Sequence, residues 1–388
     1  MERLEAAYKQ TDSHPVLVRP TGAAYLRKRG SRLNQCTHGR GGVEFVDVDG
    51  SEGEGGGQIL RTAVAFSAIK HRPVRVSKIR AGREVPGLKR QHVAALEVLS
   101  KVFEGELSGA KEGSTNVTFV PGRPSLRTLM VDMGTAASIT LVLQAVVPAV
   151  SFSGSRLELD LVGGTDVPWS PTMDYFQQVV RASYRSVGIM FEAVPSRRGY
   201  YPRGGGRVAA AIEPCGSILP VDLSTSQAVT GAVLLSRCGG LPRHVAERQL
   251  ASASRILEGE GISVLRAEAS AEQSDSPGSS ILVYHMEDGT YLGSDALGAR
   301  GKPAEDVGRE AAEKFVAEAK SGSRIDSNLA DMLLPLLSLA PGQSRVRIRE
   351  VTSHLRSGMR LAEQFTSCGW SVAEEGGSSI VSISPGGA

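Results

Sequence analysis

The sequence predicts an α/β protein of the α+β sandwich kind: a large domain of three repeated units with a smaller αβ domain inserted. Three observations predict it. A helix–strand–helix–strand–strand pattern recurs three times, and an extra segment of mixed pattern separates the second copy from the third. The chain has 388 residues, 41% hydrophobic and 22% charged, the make-up of a globular protein long enough to bury a large core and form two domains.

In the first copy a β-rich run at about 43–48 enters a glycine-rich turn. An amphipathic helix at about 56–69 follows, with Ile59, Ala63 and Phe66 on one stripe. A strand at about 74–79, a helix at about 88–103 and strands near 105–108 and 116–120 complete the unit. The second copy has an apolar helix at about 136–149, a strand near 156–161, a helix at about 172–187, and strands near 189–194 and 207–212. The third has a helix at about 327–339, a strand near 345–351, a helix at about 354–366, and strands near 370–373 and 379–384.

The extra segment opens with a strand near 228–235 and a helix at about 244–257. Strands near 263–267, 281–287 and 291–297 follow, with the QSDSPGSS loop before the second of them, and a polar helix at about 304–320 closes it. The expected divisions are a basic leader (1–42), the large domain in two parts (43–221 and 324–388) and the inserted domain (222–323).

Composition narrows the function. No apolar run reaches the ~18–20 residues that a membrane span needs. Cys36, Cys215, Cys238 and Cys368 lie far apart without a CxxC pair, which suggests neither a zinc site nor a disulfide framework and fits a reducing, cytoplasmic interior. The net charge is +3, yet residues 1–42 hold eight Lys/Arg against three carboxylates, so the remainder is slightly acidic. That balance argues against a broad nucleic-acid-coating surface and suits an enzyme that grips one end of a strand. The leader lacks periodicity and reads as a flexible tail.

The segment from Asp49 to Arg61, DGSEGEGGGQILR, carries the strongest chemical signal. Its glycines let the backbone approach a ligand, and a helix N-terminus offers unpaired N–H groups to an anion. Glu54 in that turn is a candidate ligand for a divalent cation. No Gly-Lys-Ser/Thr follows, so this is not a Walker A loop. Polar and glycine-rich residues also cluster where each unit's strand meets its second helix, at about 80–91, 163–172 and 352–357. If the three units pack around one axis, these loops share a pocket.

His354 falls in the first turn of a helix that Thr352 or Ser353 can cap. An unprotonated imidazole is a nucleophile toward phosphorus, and a helix N-terminus favours that form. A lone histidine at a helix start is more often a capping or surface residue. Arg61, Arg80 and Arg83 near the glycine loop have the forked geometry that suits a phosphate monoester, although each alone reads as solvated charge. Gln144 interrupts an apolar helix, and its amide needs partners that backbone groups can supply. Trp169 and Trp370 are isolated and make no stacking platform for RNA.

GEGGGQILR, IRAGREVPGLKRQH, GGTD, YYPRGGG and LPRHVAER occur in order between Val43 and the C-terminus and together resemble the RNA 3′-terminal phosphate cyclase family. The resemblance implies a body of three units with an insert of thioredoxin-like topology. It implies ATP and a divalent metal (Mg or Mn) as cofactors and RNA 3′-phosphate ends as substrate, in the cytoplasm or, in a eukaryote, the nucleus. It assigns His354 the covalent adenylyl group and Glu54 the metal. Arg61, Arg80, Arg83 and Gln91 would hold the RNA end; Gln144, Pro171, Asn328, Asp331, Met332 and His354 would contact the nucleotide. Where the family commonly has Tyr this chain has Asn328, while Asp331 is retained. The implied activity is ATP-dependent conversion of an RNA 3′-phosphate to a 2′,3′-cyclic phosphodiester, by way of histidine–AMP and RNA(3′)pp(5′)A. Two other classes stand beside it: a non-catalytic relative in ribosome assembly, which lacks the histidine, and an enolpyruvyl-transferase-type enzyme, which needs two comparable six-unit halves. The oligomeric state is not set by the sequence.

Overall fold

Three β-α-β-α-β-β units build the body, and each has one more strand, at its start, than the recurring pattern suggests. The computed structural model describes residues 16–18, 44–53 and 56–386. A short strand, β1 (Val16–Val18), comes first; the rest of the leader lies outside the described residues. Unit 1 comprises β2 (Val46–Asp49), α1 (Gly57–Lys70), β3 (Val74–Ser77), α2 (Arg90–Val102), β4 (Glu106–Ser108) and β5 (Val117–Val120). Its sheet order is β2-β3-β5-β4, with β2 and β3 parallel and the other pairs antiparallel.

Unit 2 repeats this with β6 (Thr128–Asp132), α3 (Ile139–Ser151), β7 (Leu157–Gly163), a helix in three pieces, β8 (Phe191–Arg197) and β9 (Gly206–Ile212). The pieces are α4 (Met173–Tyr175), a π-helical turn (Phe176–Val180) and α5 (Arg181–Ser186). The sheet runs β1-β6-β7-β9-β8, so β1 extends it in parallel beyond β6.

Unit 3 begins with β10 (Asp222–Leu223), and the insert follows at once: β11 (Gly231–Gly239), α6 (His244–Gly259), β12 (Ser263–Glu272), β13 (Gly278–Glu287), β14 (Thr290–Leu297) and α7 (Ala304–Lys320). The unit resumes with α8 (Ser327–Leu337), β15 (Ser344–Ile348), α9 (Ser353–Thr366), β16 (Gly369–Glu375) and β17 (Ser378–Ser384), in sheet order β10-β15-β17-β16. Asp222 and Leu223 pair with Arg345 and Val346 of β15, so these two residues belong to the third unit and not to the insert expected from 222. Two residues are too few to show a period in sequence. The first insert strand also lies later than its expected start near 228, because β11 is a central strand buried on both faces and lacks the alternation that would mark its ends.

The helices carry the packing. α3 buries nearly its whole circumference and lies against α1 and α2; α9 lies against α1 and α8. A Cβ on Gly358 of α9 would stand 3.0 Å from Pro335 Cγ, so glycine permits the close approach of α8 and α9. The insert is a four-stranded sheet, β12-β11-β13-β14, covered on one face by α6 and α7 around Leu234, Val283, Leu257 and Phe315. Its other face gives Leu235, Leu282 and Tyr284 to the core of the body. Arg198 sits at that seam, with a side chain only 5% exposed, and pairs with Asp166 (3.1 Å) and Asp174 (2.6 Å). Arg237 of β11 reaches the same Asp174 at 3.4 Å. Among the described residues no helix is long and apolar enough to cross a membrane.

Candidate active site

Helices from all three units converge on a cavity of about 550 Å³, and the insert closes one side. α1 contributes Gln58 and Arg61, α3 contributes Gln144 and Pro148, and the loop before α4 contributes Trp169, Ser170 and Pro171. From unit 3 come Asn328, Asp331 and Met332 of α8 and His354 of α9. Asp295 of β14 with Glu310 and Lys314 of α7 forms the insert's wall.

His354 is the second residue of α9. Thr352 caps that helix by accepting the Leu355 N–H at 2.9 Å. The imidazole is half-buried and faces the glycine loop: a Cβ on Gly56 would lie 3.7 Å from His354 Cε1 and 3.8 Å from Arg83 Nη2. The loop also lies on α9 directly, since a Cβ on Gly53 would collide with Ser357 Oγ. Gly53 has φ +62°, a conformation glycine adopts without strain. Gly56 caps α1 without a side-chain hydrogen bond and no acidic residue occupies the first turn, so the positive end of this helix faces His354 and Arg83.

Arg61, Arg80, Arg83 and Lys89 bring positive charge to the helix end of the loop. The Arg61 Nε is shut off from solvent and has no partner among the described residues, and burial pushes its guanidinium down to about 10. A buried, incompletely bonded guanidinium is unfavourable until an anion reaches it. His92 of α2 accepts the Lys89 N–H at its Nδ1 (3.0 Å), which assigns the ring proton to Nε2. Burial first, then the neighbouring charges of Arg61, Arg80 and Lys89, pulls this histidine down to about 3. A Cβ on Gly57 would fall within the His92 ring, so glycine is required there for α1 to meet α2.

The expected residues divide into two groups. Arg61, Gln144, Pro171, Asn328, Asp331, Met332 and His354 line one cavity. Arg80, Arg83 and Gln91 do not line it. Arg80 is expected to grip phosphate, yet its Nη1 donates to the carbonyls of Val85 (2.9 Å) and Gly87 (3.2 Å) and braces its own loop. Arg83 is exposed beside Gly56, and Gln91 is half-buried one residue before His92. Glu54 lies outside the described residues. Among the described residues no group of three or more His, Cys, Asp or Glu gathers to hold a metal ion.

Two contacts tie the walls together. Gln144 Nε2 stands 3.0 Å from Met332 Sδ, bridging units 2 and 3, and Gln58 Nε2 donates to the Asp331 carbonyl at 3.3 Å, bridging units 1 and 3. Sequence reasoning missed Trp169, Asp295, Glu310 and Lys314 as parts of the site. Trp169, 97% exposed with φ +68°, stands at the rim. Asp295 accepts the Thr172 N–H at 2.7 Å, joining the insert to the cap of α4. None of these residues carries a local signal; Gln58 had one, since it follows the three glycines directly.

A family model described as RNA 3′-terminal phosphate cyclase matches residues 52–372. The chain is similar to the RNA 3′-terminal phosphate cyclase of Thermococcus kodakarensis, with 43% identity over 323 residues, covering 83% of this chain and 93% of that protein. Its similarity to the Staphylothermus marinus protein of the same name is 42% over 330 residues, covering 83% and 92%. For the Methanopyrus kandleri protein of that name it is 40% over 352 residues, covering 89% and 100%.

Proposed function

The chain belongs to the RNA 3′-terminal phosphate cyclase family, and from that premise we propose that it converts RNA 3′-phosphate ends to 2′,3′-cyclic phosphodiesters at the expense of ATP. One observation carries the reading. The His354 imidazole, Arg61 and the nucleotide-contact candidates Gln144, Asp331 and Met332 share one cavity, with the glycine-loop helix start beside the histidine.

In the first step a nitrogen of neutral His354 attacks the α-phosphorus of ATP; a P–N bond forms and the bond to pyrophosphate breaks. An oxygen of the RNA 3′-phosphate then attacks that phosphorus, breaking the P–N bond and leaving RNA(3′)pp(5′)A. Finally the neighbouring 2′-hydroxyl attacks the 3′-phosphorus, gives up its proton and expels AMP. The last step is intramolecular, so the RNA supplies both nucleophile and proximity.

All three displacements build negative charge on phosphoryl oxygens, which preorganised donors stabilise best. The N–H groups at the start of α1 and the Arg61 guanidinium are such donors. Arg83, which stands beside Gly56 as His354 does, suits the incoming RNA phosphate, and Gln91 is its expected partner in that role. Arg80 contributes mainly by holding the loop that carries Arg83. On the other side Gln144, Pro171, Asn328, Asp331 and Met332 receive the adenosine. A divalent cation, Mg²⁺ or Mn²⁺, bound with ATP also belongs to this reading, with Glu54 as its expected ligand. The free thiols of Cys215, Cys238 and Cys368 suit a reducing compartment, the cytoplasm or, in a eukaryote, the nucleus.

The test is incubation with α-labelled ATP and a divalent metal, followed by denaturing electrophoresis. Label stays on the protein, is acid-labile and alkali-stable as a phosphoramidate is, and disappears in His354→Ala. Full labelling of that variant would remove His354 from the role of nucleophile.

A further inference from the structure

Asp331 and Thr352 meet where the nucleotide-contact helix α8 touches the nucleophile's helix α9, and their contact is unusually specific in its donor pattern. The Thr352 hydroxyl donates to Asp331 Oδ1 at 2.5 Å and accepts the Leu355 N–H at 2.9 Å. A hydroxyl has one proton. With the Leu355 N–H occupying a lone pair, that proton goes to the carboxylate. Thr352 therefore performs two separable tasks: it caps α9, and it ties α9 to Asp331.

Asp331 is held from a third direction as well. Pro335, four residues on, has no N–H to offer, so the Asp331 carbonyl lacks its ordinary helical donor. The Gln58 side chain, from the first turn of the glycine-loop helix, donates to that carbonyl instead. The same proline packs on α9 at Gly358, whose missing side chain leaves room for it. One residue thus joins α1, α8 and α9, and Gln58, Asp331 and His354 all line the cavity.

Resting on the reading that His354 takes AMP from ATP, we infer that Thr352 is a positioning residue for that transfer. Its bond to Asp331 sets the rotation and depth of the first turn of α9, and hence of His354, relative to a nucleotide held by α8. The link acts on the attack more than on retention of ATP, because Thr352 is not itself part of the cavity wall and Asp331 stays held on α8, with Gln58 on its carbonyl, when the link is removed. Capping alone does not require it: Asp and Gly are accepted N-cap types, and Gly in place of Thr weakens a helix start only slightly.

This separation makes the test. Thr352→Asp keeps a capping oxygen for Leu355 but has no proton to donate and sets two carboxylates against each other. Thr352→Gly keeps a tolerated cap and removes the hydroxyl. Thr352→Ser keeps both bonds. Single-turnover transfer of label from α-labelled ATP to the protein is measured over a range of ATP concentrations, beside thermal melting of each variant. Thr352→Asp and Thr352→Gly lose about tenfold or more of the rate at saturating ATP, the worth of a hydrogen bond to a charged group. Their half-saturating ATP concentration stays within about threefold of the parent, and Thr352→Ser restores the rate. A folded Thr352→Asp or Thr352→Gly protein that labels at the parent rate overturns the inference, as does a loss that appears only in the half-saturating concentration. Absence of labelling in the parent protein would instead sink the adenylylation reading itself.

Discussion

Asn328 is an exposed residue on the first turn of α8 that lines the cavity, at the position where the family resemblance leads one to expect tyrosine. A tyrosine ring can lie against a base, a contact of ~1–3 kcal/mol by truncation in single-strand binders, whereas an amide can only bond to a base edge or ribose hydroxyl. Asn328→Tyr is therefore expected to tighten apparent ATP binding and to widen the preference for ATP over GTP, compared through adenylylation and guanylylation rates. A parent protein already strict for ATP, with a variant of unchanged affinity, would assign base reading to other residues. At this scale part of the candidate site was legible: His354 at a helix start and Gln144 within an apolar helix are local signals, while Asp331 came only with the family resemblance. Arg80 was legible as a residue, and only the folded loop shows that its Nη1 is committed to two carbonyls.

Elements were legible where their burial is one-sided. α9, with Leu355, Met359, Ala362 and Phe365 buried along one stripe, starts within a residue of its expected position. β10 and the ends of β11 were not, the one being too short and the other buried on both faces. The start of α2 carries its own consequence. His92 is pulled from 6.5 to about 3, so between those values the unfolded chain takes up a proton that the folded protein refuses. Stability from this group is complete above pH 6.5 and is lost as pH falls toward 3. His92→Asn keeps an acceptor for the Lys89 N–H and cannot titrate. In urea unfolding at stepped pH it is expected to show a flatter acid slope than the parent. Equal slopes in the two proteins would trace the acid sensitivity to other groups.

The whole molecule depends on the seam between body and insert. Arg198 neutralises Asp166 and Asp174 there, and Glu272 of β12 lies 3.8 Å from its Nε. Removing one member of a buried ion set leaves unpaired charge, at a cost of about 3–5 kcal/mol. Arg198→Ala is expected to lose that much stability in equilibrium unfolding and to speed amide exchange in β11 and β12. A loss below about 1 kcal/mol with unchanged exchange would show that the apolar face around Leu235, Leu282 and Tyr284 holds the seam unaided. By itself the sequence determined the threefold repeat with its added αβ segment and the glycine loop. These are read from neighbours along the chain, where helical and strand periods and turn residues leave their mark. His354 stood out as the nucleophile candidate only through the family resemblance. The tertiary structure alone decided that the insert forms a wall of the cavity through Asp295, Glu310 and Lys314, that Gln58 reaches Asp331, and that Thr352 binds the same aspartate. Gln58 and Asp331 are 273 positions apart. No local pattern can record such a contact, because it exists only once helices from different units have packed against one another.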